Sequence, residues 1–470
     1  MEKSQRSAKP GFFTKDKGFY KTLFSMMIVV ALQNLVAYSV NMADNIMLGS
    51  YNQEALSGAA TVNQVFFMVQ QVALAIGNSL VVLASQYWGE KRVEPIRTIT
   101  GIALKLGLIC SIIIIAICVF IPRPLLMLFT TDEHIIEEGL SYLSLIQWTF
   151  ILFIMTNILM AALRSVETVK ISFYISVISL IVNVAINYTL IFGRFGFPEM
   201  GVRGAAVGTL VARILEFIIV LVYLIKFDKK LHLFAGGLFK RNRGLRKDYT
   251  KVTVPIMLSQ VLWGVSVPMQ TAILGHLSAD AIAANSVATT FYQYLKVIVI
   301  AMSSTSSVMI GNAIGRGNMA RIKSDARTLA VINVLIGLVL GIVLFLLRYP
   351  LLSMYKLSEN ATGLAINLIS IMSIVMVGMS YQMPVSYGII QGGGDAKFNM
   401  AMNMISTWVI VMPLSFMAAF WWKLPVELVV LCIQSDQIFK GLPTFIRFRS
   451  YKWIKKLTKP DTQADSAQSS

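Results

Sequence analysis

The sequence predicts an all-α integral membrane protein in which twelve transmembrane helices form two six-helix lobes. Three observations support this prediction: an apolar composition, hydrophobic runs of spanning length along the whole chain, and an internal repeat. The chain has 470 residues, of which 56% are hydrophobic and only 14% are charged. Soluble domains carry roughly 25% charged residues, so the composition is that of a membrane protein.

The hydrophobic runs define the predicted spans. A helix needs about twenty mostly apolar residues to cross a bilayer, and twelve such runs cover residues 20–42, 55–84, 100–121, 138–162, 169–192, 204–226, 252–274, 283–312, 328–347, 362–390, 399–421 and 425–445. They group into an N-terminal lobe over 20–226 and a C-terminal lobe over 252–445. The remaining parts are a cytoplasmic N-terminal segment (1–19), a basic cytoplasmic linker (227–251) and a cytoplasmic tail (446–470), which is expected to be disordered after Lys459.

The distribution of charge predicts the topology. The formal net charge is +18, and most Lys and Arg residues lie in alternate connections: the N-terminus up to Lys21, 91–97, 164–170, 226–251, 316–327 and 440–459. Basic connections stay on the cytoplasmic side, so we expect both termini on the cytoplasmic side of a bacterial inner (plasma) membrane. The basic charge therefore reflects topology and an attraction to the anionic lipids of the inner leaflet, and we expect no nucleic-acid partner.

An internal repeat relates the two predicted lobes. With an offset of 226 residues, "NMADNIMLGSYNQEALSGAA" lies over "VPMQTAILGHLSADAIAANS", Gly89 lies over Gly315, and Asp44 lies over Gln270. One residue of slippage later, "RSVETVK" lies over "QGGGDAK". Two repeats of six helices have the same orientation, so a pseudo-two-fold axis along the membrane normal is expected. Lobes of this kind enclose a cleft, and rocking of one lobe against the other gives alternating access.

Asp44 is the first candidate functional residue, because a carboxylate at membrane depth is costly unless a partner or a transported ion attends it. Asn34, Tyr38, Asn41 and Asp44 recur at spacings that place them on one face of the first predicted helix. Asp44 therefore continues a polar face. The alternatives are that Asp44 lies outside the hydrocarbon as a helix cap, and that the polar residues only mediate helix contacts.

Other polar residues inside predicted spans are candidates for a substrate cavity. Together with two residues from the polar face of the first helix, they give the predicted lining of the cavity: Asn34, Tyr38, Gln70, Gln293, Lys296 and Tyr387. Lys296 is unusual because it lies near the middle of the eighth span, too far from a helix end to snorkel. It is predicted either to contact the substrate or to approach Asp44 across the cleft. A permanent positive charge there disfavours cationic compounds and favours organic anions.

Four motifs together resemble the multidrug and toxic compound extrusion (MATE) family. They are "NIMLG" directly after Asp44, "SQYWGEKR" after the second span, "MGVRGAAVGT" at the sixth and "QGGGDAKF" after the tenth, and the resemblance covers about residues 15–450. It implies export of small organic molecules, often cationic and aromatic, in exchange for inward Na⁺ or H⁺. We expect a monomer without a cofactor.

The resemblance also implies an ion-coupling site. In DinF-like members, an aspartate on the first helix meets an Asn and an acidic or amide residue four apart on the fifth helix, and a Thr on the sixth. The matching positions are Asp44, Asn183, Asn187 and Thr209, to which we add Asn41 from the same helix face. Because Asn187 stands where some members have a second aspartate, the single carboxylate favours H⁺, with Na⁺ at Asp44 as the alternative.

The seventh and tenth spans lack the acidic residues of NorM-like members, so the sequence is interpreted as closer to the DinF-like subgroup, with coupling in the N-terminal lobe. Arg213 and Glu216, three residues apart in the sixth span, are predicted to form a structural ion pair. An enzyme is not expected, because "QGGGDAK" lacks the spacing of a nucleotide-binding loop. The alternatives are a flippase for lipids or lipid-linked oligosaccharides, an exporter of organic anions, and a membrane scaffold or receptor that moves no solute.

Overall fold

The computed structural model describes residues 12–277, 279–353, 355 and 358–459. Within these residues the chain folds into helices, and no strand is present in this part. The first eleven residues of the predicted N-terminal segment lie outside the described residues. The same holds for residues 460–470, the part of the tail that was expected to be disordered.

The first half of the chain forms eight α-helices. They are α1 (Lys17–Tyr51), α2 (Gln53–Gly89), α3 (Glu94–Phe120), α4 (Pro122–Met127), α5 (Glu133–Ile146), α6 (Thr149–Ser165), α7 (Lys170–Ile191) and α8 (Val202–Lys226). Polar side chains cap several of the N-termini. Asp16 accepts a hydrogen bond from the Gly18 amide at the start of α1, and Asn52 accepts one from the Ala55 amide at the start of α2, which satisfies amides that have no partner inside the helix.

The second half forms eight α-helices and three π-helical segments. Its helices are α9 (Arg243–Gly275), α10 (Ala279–Arg316), α11 (Met319–Leu352), α12 (Glu359–Met383), α13 (Ala396–Asn403), α14 (Met412–Phe416), α15 (Val426–Gln434) and α16 (Asp436–Ser450). The π-helical segments cover Pro384–Ile390, Met404–Val411 and Met417–Trp421. Prolines lack the amide that the α-helical ladder needs. Pro384 opens the first π-helical segment and Pro413 lies between the other two.

The prediction of a multi-pass helical membrane protein is confirmed. Among the described residues, ten helices are long and apolar enough to cross a membrane, or eleven if α5 and α6 count as one span bent by 52°. The single helix predicted over 138–162 is therefore wrong in detail. At the bend the Gln147 side chain donates to the Ser144 carbonyl (3.1 Å) and the Thr149 hydroxyl donates to the Ile146 carbonyl (2.6 Å). Such bonds compete with the helical ladder.

Two further boundaries differ from the sequence prediction. The segment 425–445 forms α15 and α16 instead of one helix, with the Ser435 hydroxyl bonded to the Cys432 carbonyl (2.5 Å) at the break. Each of these helices is shorter than the roughly twenty residues that a span needs. The basic linker also ends earlier than residue 251. Asn242 accepts a hydrogen bond from the Leu245 amide (2.9 Å), so α9 begins at Arg243.

The two halves meet where α2 and α10 cross, and glycines make this crossing possible. A Cβ atom at Gly89 would collide with the carbonyl of Asn312 and lie 3.0 Å from the Cα of Gly315, while a Cβ atom at Gly315 would collide with the carbonyl of Gln86. Gly89 and Gly315 are equivalent in the internal repeat. In a two-fold arrangement only residues near the axis touch their own equivalents, so this contact supports an axis that passes through the crossing.

The crossing belongs to a surface that we call the basic face, formed by the connections 89–94, 226–243 and 316–319 with the C-terminal residues 451–459. These last residues, the C-terminal strap, run from the second half of the chain to the first. The Trp453 ring is fully buried and packs on Gly393, where a Cβ atom would lie too close to it. Asp395, also buried, accepts hydrogen bonds from Arg447 (2.5 and 2.8 Å) and Lys455 (2.6 Å). The "QGGGD" motif is thus the docking platform of the strap.

The other end of the strap binds α2. The Leu457 amide donates to Gln86 (2.8 Å), the Thr458 hydroxyl donates to Glu90 (2.5 Å), and Lys456 pairs with Glu90 (2.9 Å). Burial raises the pKa of Glu90, but the hydrogen bond from Thr458 and the charge of Lys456 outweigh it and leave that pKa below its ordinary value. The strap therefore ties the two halves together on the basic face.

The segment before α1 forms a similar connection. The Thr14 amide donates to the Thr328 hydroxyl on α11 (2.9 Å), and Asp16 pairs with Arg321 (2.6 Å). A hydrogen bond from the Gly18 amide and the pair with Arg321 lower the pKa of Asp16, against a small opposing effect of burial. Chain segments from both ends of the sequence thus cross between the halves on the same face.

Replacing Gly315 with Ala is expected to separate α2 from α10, because the added methyl group has no room beside the Gln86 carbonyl. Overpacking of this kind costs about 1–3 kcal/mol, so the unfolding temperature should fall. Spin labels at Lys170 and Met319, measured by double electron–electron resonance, should move apart. Gly378→Ala is the matched control, since no atom lies within 4 Å of a Cβ atom at Gly378. Unchanged label distances in Gly315→Ala would show that the crossing does not hold the halves together.

Asp395→Asn is expected to release the C-terminal strap. A hydrogen bond to a charged group contributes about 1.5–3 kcal/mol, so the undocked fraction should rise by about tenfold or more. Limited trypsin digestion followed by mass spectrometry measures this directly as cleavage after Lys455 and Lys456. Glu133→Gln serves as the control because its pair with Arg123 is solvent-exposed, with 57% of the Glu133 side chain accessible. Equal cleavage of Asp395→Asn and wild type would contradict the role given to Asp395.

Candidate ion-coupling site

Four of the predicted coupling residues form one chain of hydrogen bonds between α1, α7 and α8. The Asn187 amide nitrogen donates to Asp44 Oδ1 (2.5 Å) and to Asn183 Oδ1 (3.3 Å). The Asn183 amide nitrogen in turn donates to the Thr209 hydroxyl (3.2 Å). The structure therefore brings together Asp44, Asn183, Asn187 and Thr209, and we call this set the Asp44 cluster.

The local sequence explains why these side chains meet. Asn183 and Asn187 are four residues apart and share one face of α7, and both are buried. The helix α8 approaches this face closely because of its glycines. A Cβ atom at Gly208 would collide with Asn187 Oδ1, and a Cβ atom at Gly204 would lie 2.7 Å from the carbonyl carbon of Leu190. The "GAAVGT" segment thus combines close packing with the hydroxyl of Thr209.

Two further residues surround the cluster. Tyr142, on α5, is buried, lies against Thr209 and is within the electrostatic reach of Asp44. The positive charge of Arg213 also acts on Asp44. However, Arg213 pairs with Glu216 (2.6 Å) and its guanidinium lies 5.0 Å from the centre of the Phe153 ring. The predicted ion pair is confirmed, and Arg213 acts on Asp44 while it is paired with Glu216.

The free oxygen atoms of the cluster determine what it can bind. Asn187 Oδ1 is buried and accepts no hydrogen bond from the described residues. Thr209 and Asn183 each use an oxygen to accept a bond within the cluster. An ionisable carboxylate beside an unsatisfied carbonyl oxygen can hold a proton or contribute oxygen ligands to a small cation. Within the part of the chain that the structure describes, no group of three or more His, Cys, Asp or Glu residues is placed to hold a metal ion.

Asn41 does not belong to this hydrogen-bond chain among the described residues. It is exposed, as is Tyr38, whereas Asn34 and Gln70 are half-buried. The neighbour of Gln70, Gln71, is buried. The predicted cavity residues of the first half thus lie on α1 and α2. The Asp44 carboxylate bonds to Asn187 on α7 instead of to these residues.

The predicted cavity residues of the second half lie elsewhere. Gln293 is exposed, and the Lys296 ammonium lies 5.5 Å from the centre of the Trp263 ring. The Tyr387 hydroxyl accepts a hydrogen bond from Asn403 (2.7 Å). The charges that act on Lys296 are those of Asp436 and Lys440. The carboxylate that acts on Lys296 is therefore Asp436, whereas the sequence prediction offered either contact with the substrate or an approach to Asp44.

Three residues of these sites were not predicted from the sequence: Tyr142, Asp436 and Lys440. A single tyrosine in an apolar run gives no signal that distinguishes it from packing residues. Asp436 does carry a signal, because it lies inside the predicted span 425–445 and meets the same criterion that selects Asp44. The criterion of a carboxylate inside a predicted span, when it is applied to the last span as well as the first, also selects Asp436.

A multi-pass bundle of long apolar helices defines an integral membrane protein. Comparison with family models gives the particular family. The MatE model matches residues 30–189 and 255–417. The chain therefore belongs to the MATE family of membrane transporters.

Relatives and solved structures agree with this assignment. The chain is 24% identical over 437 residues to the "Probable multidrug resistance protein NorM" of Thermotoga maritima, covering 93% of each chain. The fold is similar to a MOP superfamily transporter from Pyrococcus furiosus (TM-score 0.84, 18% identity, 95% of this chain and 100% of that chain). It is also similar to the bent form of the Vibrio cholerae MATE transporter VcmN (TM-score 0.81, 17% identity, 92% of this chain and 97% of that chain).

The contact between Gly208 and Asn187 is testable by a double-mutant cycle. Gly208→Ala should lower the free energy of unfolding by about 1–3 kcal/mol, as overpacking does, because the new methyl group collides with Asn187 Oδ1. In an Asn187→Ala background the collision is removed, so most of that cost should disappear. Unfolding temperatures of the four proteins in one detergent measure the coupling. Additive effects of the two substitutions would rule out the contact.

Proposed function

We propose that this protein is an antiporter that exports hydrophobic organic small molecules in exchange for inward H⁺, with Asp44 as the coupling carboxylate. The Asp44 cluster is the observation on which the proposal depends. A partly buried carboxylate that is bonded to a neutral amide can exist either ionised or protonated without losing its position. A change of protonation can therefore change the charge of the cleft without unfolding its walls.

We infer a twelve-span architecture of two lobes, over 20–226 and 252–445. It is built from the ten apolar helices, the bent pair α5–α6, and a last span made of α15 and α16. The contact between Gly89 and Gly315 supports a pseudo-two-fold axis between the lobes. Both termini are then on the cytoplasmic side, because the alternate connections that carry most of the Lys and Arg residues, among them those of the basic face, stay in the cytoplasm, and the chain resides in a bacterial inner membrane.

Alternating access follows from this arrangement. The α2–α10 crossing and the C-terminal strap close the basic face, so we interpret the structure as a state that is closed toward the cytoplasm. Opening toward the cytoplasm requires the lobes to separate at Gly89 and Gly315 and the strap to leave α2. Rocking of two repeats about a fixed central site is the usual way in which such folds work.

The coupling ion is inferred from the oxygen atoms that remain free. Asn183 and Thr209 are already hydrogen-bonded to each other, which leaves the Asp44 carboxylate and Asn187 Oδ1 to bind an ion. A proton needs only one such acceptor pair, whereas Na⁺ needs a larger set of oxygen ligands. We therefore favour H⁺ and keep Na⁺ at Asp44 as the alternative outcome. The same residues support a place closer to the DinF-like subgroup, although the relatives in Thermotoga maritima and Rhizobium meliloti are named NorM.

Substrate class and assembly are inferred from the family. The Thermotoga maritima relative is named a probable multidrug resistance protein, and this supports small organic molecules as the substrates. One chain contributes every member of the Asp44 cluster, so we propose that a single chain is functional. Anionic lipids of the inner leaflet are expected around the basic face.

Asp44→Asn is expected to abolish gradient-driven transport, because an amide cannot take up and release the coupling proton. The measurement uses purified protein in liposomes, with a pH gradient and a Na⁺ gradient imposed separately and the movement of a cationic dye and of an anionic dye followed in each case. Movement that a pH gradient drives in the wild type, and that is lost in Asp44→Asn, supports proton coupling. Movement driven only by Na⁺ would replace H⁺ by Na⁺ in the proposal.

Asp132→Asn is the control for this substitution. Asp132 caps α5 by accepting hydrogen bonds from the amides of His134 and Ile135, and Asn is an equally good capping residue. This variant should transport normally. Folded wild type that moves no dye with either gradient would contradict the antiporter, and a lipid-scrambling assay would then test the flippase.

A further inference from the structure

The second half of the chain contains a charged cluster of its own, where α16 packs near the π-helical segment that follows α12. Lys440 is buried, with 3% of the residue exposed, and pairs with Asp436 Oδ2 (2.9 Å). The Gln437 amide donates to Asp436 Oδ1 (2.8 Å). Both oxygens of the carboxylate are therefore engaged by neighbours on α16.

Lys296, on α10, lies within the electrostatic reach of the same cluster. No carboxylate among the described residues lies within 4.0 Å of its ammonium group, which lies 5.5 Å from the Trp263 ring centre. The charges that act on it are those of Asp436 and Lys440. When both lysines are protonated, two ammonium groups stand near one carboxylate, and the site then carries an excess of one positive charge. An uncompensated charge in a region of low dielectric is costly, so the arrangement favours a ligand that supplies the missing negative charge.

The surroundings of Lys296 suit an aromatic ligand. The Trp263 ring lies 6.0 Å from that of Phe67 on α2, so aromatic surface from both halves meets beside the ammonium group. The Tyr387 hydroxyl accepts from Asn403 (2.7 Å), which leaves its own hydrogen to donate. Gln293, one turn before Lys296 and exposed, adds an amide. A ligand at this position meets hydrogen-bond donors and ring faces.

The internal repeat relates charged positions of one half to neutral positions of the other. With the offset of 226, Lys296 corresponds to Gln70, and Asp44 corresponds to Gln270. With the offset of 227 that aligns "RSVETVK" with "QGGGDAK", Lys440 corresponds to Arg213. At the first two of these positions, each half has a charge where the other half has a neutral amide. The first half offers a carboxylate and the second half offers an ammonium group.

We propose that Lys296 binds the carboxylate of an aromatic organic anion, whose ring packs against Trp263, and that such monoanions are the substrate class of this transporter. This inference rests on the proposed function and names its substrate. The charges of Asp436 and Lys440 act on Lys296, and Tyr387, which lies within the electrostatic reach of Lys440, offers a hydrogen-bond donor near the same pair.

The test uses three probes that share one aromatic body and differ in charge: 1-naphthoate, 1-naphthamide and 1-naphthylmethylammonium. Equilibrium dialysis against the full-length protein in lipid nanodiscs gives their affinities without any need for transport. The wild type should bind naphthoate most tightly and the ammonium compound least. Tighter binding of the ammonium compound than of naphthoate would overturn the proposal.

Variants of Lys296 separate charge from packing. Because a hydrogen bond to a charged group is lost, Lys296→Gln should weaken naphthoate binding by about tenfold to hundredfold. It should leave naphthamide binding nearly unchanged, which also shows that the variant is folded. Lys296→Arg keeps the charge and should retain most of the affinity. Lys105→Gln is the control, since Lys105 is another lysine within an apolar helix and its ammonium lies 5.4 Å from the Phe239 ring instead. Equal losses for naphthoate and naphthamide in Lys296→Gln would contradict a charge-selective site.

Transport measurements then distinguish the two proposals. Asp44→Asn should bind naphthoate like the wild type but move none of it when a pH gradient is imposed. If the wild type binds naphthoate selectively and moves none of the probes, the antiporter proposal fails while the binding site stands. If it exports the ammonium compound and not naphthoate, the antiporter stands and the anion site fails.

Discussion

The need to satisfy every polar group within the membrane is the constraint on which the rest of this structure depends. Lipid offers no hydrogen bonds and little charge stabilisation, so polar side chains in the spans must find partners on neighbouring helices. The pair of Arg213 with Glu216, the pair of Lys440 with Asp436, and the amide chain that reaches Asp44 all meet this need. Among the described residues of these two clusters, the Asn187 carbonyl oxygen, the Gln437 carbonyl oxygen and the Lys296 ammonium group have no hydrogen-bond partner. At the Asp44 cluster and at Lys296, we propose that a ligand supplies the missing partner.

Glycines let neighbouring helices pack closely enough for these polar side chains to interact. Gly208 lets α8 come near enough for Thr209 to meet Asn183, and Gly315 lets α10 touch α2 where the halves cross. Gly393 leaves room for the ring of Trp453 and so allows the C-terminal strap to dock. The glycine-containing motifs of the sequence thus act mainly by allowing close packing. Their functional value is indirect, because they set the distances at which the polar groups interact.

The helical membrane fold and the principal site could be predicted from the sequence because both depend on local patterns. Hydrophobic length identifies spans, and residues four apart on a helix share a face, so Asn183 and Asn187 could be assigned to one surface. The break at Gln147, the split at Ser435 and the start of α9 at Arg243 depend on side-chain hydrogen bonds to individual backbone groups, and hydropathy does not reveal those. The charged neighbours of Lys296 could not be derived either. Helix periodicity gives the face on which a residue lies but does not say which helix packs against that face.

The two halves have diverged in charge while keeping a common plan, and this difference can explain how exchange is coupled. Closing the cleft removes water from the Asp44 carboxylate and from the Lys296 ammonium group alike. Dehydrating an uncompensated charge is unfavourable, so the lobes close most readily when Asp44 is protonated or when Lys296 holds an anion. The lobes therefore resist closing over a cleft in which both groups are bare. On this view proton and substrate need no direct contact, since each lowers the cost of closing by cancelling one buried charge, and exchange requires in addition that a cleft holding both closes less readily than a cleft holding one.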